Sequence, residues 1–170
     1  NAAMEIGISL GSNLGDRLVA LQEARRQIAN WHGVQVVAVS PLYETEPVEV
    51  PRRYQALSFL NAVMVVETVL APASFIVRLQ ALEARLGRKR GPQRNAPRPI
   101  DLDLVYAGSL RMRTPLLCIP HPRWALRRFV AVPLADIRPN LVLPGRRRTV
   151  RQIAASLPRK PTAMLIRKRW

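Results

Sequence analysis

Two stretches of helical periodicity, 16–31 and 72–86, each lie between stretches built for strands, and that order leaves few folds open. Glu5 to Leu10 alternates, with Ile6, Ile8 and Leu10 on one face and Gly7 and Ser9 on the other, the pattern of a half-buried strand. Gly11-Ser12-Asn13 breaks the alternation. Asp16 then stands near the start of a helix running to about Trp31, with Leu18, Leu21, Ala24 and Ile28 as its apolar stripe and His32-Gly33 as its stop. Val34 to Tyr43 is rich in β-branched residues and predicts a second strand; Phe59 to Glu67 predicts a third. Pro72 opens the second helix at a position proline tolerates, Phe75, Leu79, Leu82 and Leu86 fall on its buried face, and Gly87 closes it. Ile100 to Tyr106 predicts a fourth strand.

This β-α-β-β-α-β order predicts an α+β fold: a ferredoxin-like antiparallel sheet with the helices on one face. A less regular C-terminal extension follows. Pro115 to Pro122 reads as extended chain, and 129–137 and 149–157 as short helices. Residues from about 158 to 170 read as a loose basic tail. The length of 170 residues fits a single domain over 1–170. Met4 reads as a native start, with Asn1 to Ala3 added ahead of it.

Asp101-Leu102-Asp103-Leu104-Val105 carries the most chemistry. Side chains two apart on a strand share a face, so Asp101 and Asp103 point together while Leu102, Leu104 and Tyr106 are expected to enter the helix-covered core. Two carboxylates ~6–7 Å apart repel by roughly 2–3 kcal/mol at an effective dielectric near 20, so the arrangement calls for a counter-charge. Magnesium fits, because it typically takes one or two carboxylates and completes its shell with water and phosphates. The loop just before the pair supplies Arg88, Arg90 and Arg98, and guanidinium groups meet phosphate oxygens through two parallel hydrogen bonds. Metal carboxylates beside arginines are the parts phosphoryl transfer needs. No Gly-rich lysine loop and no protein-kinase signature is present. On the third strand Phe59 and Asn61 share a face, a ring platform and an amide suited to a flat heterocycle.

The net charge of +16 and the isoelectric point near 11.7 call for a polyanionic partner: nucleic acid, an acidic membrane surface or nucleotide phosphates. One cysteine, Cys118, excludes a disulfide framework and a Cys-rich zinc site. With no apolar run of ~18 residues and no signal-peptide pattern, no membrane partner and a cytoplasmic location are expected.

Several stretches, in this order and spacing, resemble the 6-hydroxymethyl-7,8-dihydropterin pyrophosphokinase family of folate biosynthesis. They are Leu10-Gly11-Ser12-Asn13-Leu14-Gly15-Asp16, Tyr43-Glu44-Thr45, Phe59-Leu60-Asn61-Ala62, Leu82-Glu83 through Gly87-Arg88, Pro97-Arg98-Pro99-Ile100-Asp101-Leu102-Asp103-Leu104, Ile119-Pro120-His121-Pro122-Arg123 and Phe129-Val130 through Pro133-Leu134. The resemblance implies transfer of pyrophosphate from ATP to 6-hydroxymethyl-7,8-dihydropterin, with AMP released. It implies two Mg2+ ions bound with ATP at Asp101 and Asp103, and Arg88 and Arg98 as catalytic-loop arginines. It implies a pterin pocket of Thr45, Val48, Phe59, Asn61 and Phe129, ATP contacts from Gln80, Glu83, Arg90, Arg98, His121 and Arg127, and a monomer.

The chain departs from the family pattern at four places. Asn95 stands where many members carry a tryptophan, and Glu46-Pro47 replaces a double proline. Leu116 and Cys118 stand where some members place a phosphate-binding arginine and a hydroxyl. The competing class is an RNA-binding module of the same topology. It lacks support, because the first strand has no aromatic, only 5% of residues are aromatic, and two carboxylates would repel a phosphate backbone. No nucleic-acid partner is therefore expected.

Overall fold

The computed structural model describes residues 2–46, 57–87 and 97–170. Among the described residues an antiparallel sheet and four α-helices make up the fold. The sheet is built from β1 (Met4–Ser12), β2 (Val34–Val39), β3 (Leu42–Thr45), β4 (Phe59–Thr68), β5 (Asp101–Ala107) and β8 (Ala163–Arg167). A small hairpin pairs β6 (Met112–Arg113) with β7 (Cys118–Ile119). The helices are α1 (Arg17–Ala29), α2 (Pro72–Arg85), α3 (Arg128–Ile137) and α4 (Val150–Ser156), with a 3-10 turn at Trp124–Leu126 before α3. The strand order is β5-β1-β4-β3-β8, and β2 also pairs with β4. No helix among the described residues is long and apolar enough to cross a membrane.

Local chemistry sets the boundaries. The Asp16 carboxylate accepts from the Val19 amide and caps α1, satisfying one of the donors a helix start leaves open. Gly87 takes a φ of 98° just past α2, a conformation open to glycine. The predicted second strand is split in two at Ser40-Pro41. Proline has no N–H for the ladder, and Ser40 makes up the loss: its amide donates to the Val63 carbonyl, and its Oγ accepts from the Val63 amide, both at 2.8 Å.

Two apolar clusters sandwich the sheet. Ile6, Ile8, Leu10, Leu60, Ala62, Met64, Leu102 and Leu104 meet α1 and α2 on one face, as their alternation predicts. The opposite face is not free of helices. Its far half is covered by the 3-10 turn, α3 and α4, which pack Trp124, Val130, Leu134, Val150 and Ile153 against Val63, Val105 and Tyr106. Tyr106 therefore departs from the expected pattern and lies on this second face. The cause is a bulge: Ile8 pairs with Leu104, but Gly7 pairs with Tyr106, so Val105 is an extra residue and the alternation flips. The basic tail also differs from expectation. Ala163–Arg167 pairs with β3 as β8, leaving Met164, Leu165 and Ile166 exposed on the outer strand.

The flipped Tyr106 ties the second face together. Its hydroxyl donates to Glu5 at 2.6 Å, and Arg138 pairs with the same carboxylate at 2.9 Å. Burial, then the bond to Glu5, raises the phenol pKa well above its usual value. The ring lies directly over Gly7, where a Cβ would sit 2.2 Å from Tyr106 Cε1. Gly7→Ala must displace a buried ring, so a loss of roughly 1–3 kcal/mol is expected in equilibrium denaturation. An unchanged unfolding midpoint would mean the ring does not rest there.

Candidate functional site

The near half of the second face carries the polar residues. Pairing across three strands puts Asp101 opposite Gly11 and Gly11 opposite Asn61, while Asp103 faces Ser9. Paired residues on antiparallel strands share a face, so Asp101, Asp103, Ser9 and Asn61 project together, with Phe59 two residues from Asn61. Gly11 gives them room. A Cβ there would lie 2.8 Å from Asn61 Nδ2 and 3.5 Å from Phe59 Cδ1. Thr45 is paired with Phe59, and its hydroxyl donates to Asn61 Oδ1 at 2.5 Å. Both Thr45 and Asn61 are buried, so this bond fixes which way the amide points.

The strand bearing the carboxylates lies at the edge of the sheet, and neighbours satisfy its outer side. Glu83, 2% exposed, reaches from α2 and accepts from the Leu102 amide at 2.9 Å. Gln80 stands one turn earlier on the same helix and is half-buried. The His121 amide donates to the Val105 carbonyl at 2.7 Å, using the acceptor that the bulge turns outward. The predicted nucleotide contact Glu83 is thus also a clamp on the metal-candidate strand.

Arg98 is held at both ends. Asn13 grips its backbone twice, the Arg98 amide donating to Asn13 Oδ1 at 2.8 Å and the Asn13 amide donating to the Arg98 carbonyl at 3.2 Å. Its guanidinium meets Asp101 Oδ1 at 3.3 Å, and the two side chains are 19% and 23% exposed. Asn13 is a site residue whose contact could not be foreseen, since its partner lies 85 positions away. Arg17 is another. It pairs with Glu44 at 2.9 Å and donates to the Ser58 carbonyl and hydroxyl at 3.0 Å, neutralising an acid beside Thr45.

His121, Arg127 and Phe129 complete the set. The Arg127 guanidinium stacks over the Phe129 ring at 5.3 Å, and Phe129 packs on the cluster containing Val63. Burial pushes the His121 pKa down to about 4, helped by Arg127 and Arg123 and opposed by the nearby Asp101. Its Nδ1 accepts from the Arg123 amide at 3.1 Å, so the neutral ring carries its proton on Nε2 and offers a donor there. Val48, Arg88 and Arg90 lie outside the described residues, as do Pro47 and Asn95 among the departures. Among the described residues no group of three or more His, Cys, Asp or Glu could hold a metal. Two half-buried carboxylates on one strand face fit an ion that keeps water and substrate phosphates in its shell, as magnesium does.

A family model described as 7,8-dihydro-6-hydroxymethylpterin-pyrophosphokinase matches residues 7–139. A Pseudomonas aeruginosa protein named 2-amino-4-hydroxy-6-hydroxymethyldihydropteridine pyrophosphokinase is 37% identical over 151 residues, 87% of this chain and 89% of that protein. A folate synthesis bifunctional protein of Arabidopsis thaliana is 39% identical over 133 residues, 78% of this chain and 27% of the relative. The chain thus spans about a quarter of the length of that bifunctional relative. A crystal structure described as HPPK-DHPS in complex with substrates superposes with a TM-score of 0.72 over 92% of this chain and 43% of that one. Its identity is 14%, so this likeness speaks to the fold alone.

The depressed His121 pKa has a pH consequence. Between the usual histidine value near 6.5 and about 4, the unfolded chain binds more protons at this site than the folded one. Stability is therefore lost as pH falls through that window. His121→Gln should flatten the fall in Tm between those limits, and an NMR titration should place the imidazole midpoint near 4; a midpoint near 6.5 would remove the argument.

Proposed function

Because the chain belongs to the 7,8-dihydro-6-hydroxymethylpterin-pyrophosphokinase family, we propose that it transfers the pyrophosphoryl group of ATP to 6-hydroxymethyl-7,8-dihydropterin in folate synthesis. In this reading the hydroxymethyl oxygen bonds to the β-phosphorus, the bond from that phosphorus to the α-phosphate oxygen breaks, AMP leaves, and the hydroxyl proton passes to solvent. The observation that carries it is the placement of Asp101 and Asp103 on one strand face, with Arg98 locked beside them by Asn13 and the Thr45–Asn61 pair two strands away. That arrangement supports reading one sheet as carrying both a phosphate side and a side for a flat heterocycle.

Asp101 and Asp103 would hold two Mg2+ ions entering with ATP, and ions so held supply charge that neutralises the phosphate oxygens. Arg98, and Arg88 with it, steadies the charge that spreads over the transferred group. Thr45, Val48, Phe59, Asn61 and Phe129 form the pterin side. Asn61 supplies hydrogen-bonding groups whose direction Thr45 sets, and the rings supply flat apolar contact. Gln80, Glu83, Arg90, His121 and Arg127 form the ATP side, with the His121 Nε2–H as a neutral donor. The strand order supports reading the frame as ferredoxin-like, followed by a C-terminal extension.

The deciding assay is AMP release from ATP, magnesium and 6-hydroxymethyl-7,8-dihydropterin, since ADP as product would mean ordinary kinase chemistry instead. Asp101→Asn or Asp103→Asn should leave less than ~1% of the rate with Tm within a few degrees, because each change removes a carboxylate from a mutually repelling pair. Near-normal turnover in either would refute the metal role. Arg98→Ala should lower kcat on the order of a thousandfold while moving the pterin KM much less; a KM effect alone would contradict a role in the transition state.

A further inference from the structure

A cavity of about 500 Å3 opens between the β6–β7 hairpin and the turn before α4, and its walls hold Arg111, Arg113, Cys118, His121 and Arg146. The turn is seated on the hairpin. Gly145 has a φ of 83°, and a Cβ there would lie 2.9 Å from Arg111 Nη2, so the arginine lies against bare backbone. Among the described residues no Asp or Glu lines the cavity. Among the described residues no ion pair joins any of the three arginines to a carboxylate. Three cations sharing a concave space without a counter-charge repel one another, and an anion in their midst reverses the sign of that interaction.

The shape narrows the choice of anion. A cavity of this volume suits a small ligand, whereas a nucleic-acid duplex or a membrane plane needs an extended surface. Arginine forks match phosphate oxygens in particular. His121 connects this space to the site already described, because it lines the cavity and also feels the charge of Asp101. Arg146 lies beyond the residues 7–139 that match the family. From 140 onward the chain carries nine Lys and Arg and no Asp or Glu, so this wall is cationic.

We propose that the cavity is a phosphate-binding compartment in which Arg113 and Arg146 grip the phosphate chain of the nucleotide, with Arg111 braced behind them. This rests on the reading of ATP as substrate. The test uses the full chain and titration calorimetry with sodium tripolyphosphate and with ATP, beside the AMP-release assay. In Arg113→Ala/Arg146→Ala, both ligands should bind more weakly by roughly tenfold per arginine removed. The ATP KM should rise, while kcat and the pterin KM stay put. Both side chains are exposed, so Tm should hold. The charge-matched control Arg151→Ala/Arg159→Ala should bind both ligands as the unmodified chain does.

Unchanged binding in the cavity variant overturns the proposal. So does equal weakening in the control, which would mean general charge, and so does loss of tripolyphosphate without loss of ATP affinity. If the unmodified chain releases no AMP but loses both ligands only in the cavity variant, the compartment stands and the pyrophosphokinase reading falls.

Discussion

The pairing of β5 with β1 sets Asp101 opposite Gly11 and Asp103 opposite Ser9, and both partners are small. Among the described residues no bulky side chain of β1 separates the carboxylates from the amide of Asn61 on β4. Were the register slipped by one residue, the acids would enter the α1–α2 core and Leu102 and Leu104 would face the polar end. The apolar side of β5 therefore holds the acids in place. Burying Leu102 and Leu104 is worth roughly 1.5–3 kcal/mol apiece, comparable to the repulsion between the two carboxylates.

The bulge at Val105 completes this division of labour. One extra residue turns Tyr106 across the sheet, so the same strand presents acids at its start and an aromatic anchor at its end. That anchor organises the far half of the face through Glu5 and Arg138, and among the described residues the near half carries no helix. The outward carbonyl at the bulge then fastens His121. A local irregularity in one strand thus links the core, the covered half-face and the candidate nucleotide side.

Much of this was legible in the sequence because strand and helix periods are local. The stripe of Leu21, Ala24 and Ile28, the shared face of Asp101 and Asp103, and the stop at Gly87 follow from spacing alone. Tyr106 did not, because Val105 is as apolar as its neighbours and nothing local marks a bulge. Asn13 and Arg17 act on partners far along the chain, Arg98 and Ser58, and a single sequence does not show such pairs. β8 was hidden for a different reason. Its apolar centre is short and flanked by charges that read as a solvated tail.

That outer strand has a consequence for how molecules of this kind behave at high concentration. Met164, Leu165 and Ile166 stand exposed where the sheet ends, an invitation to fibrous stacking edge against edge. Arg159 and Lys160 precede them, and Arg167, Lys168 and Arg169 overlap and follow them. Two copies approaching along this border would each bring five positive charges into a narrow seam. The surplus of cations thus acts as a colloidal gatekeeper, strongest in dilute electrolyte and weakened as counter-ions crowd in.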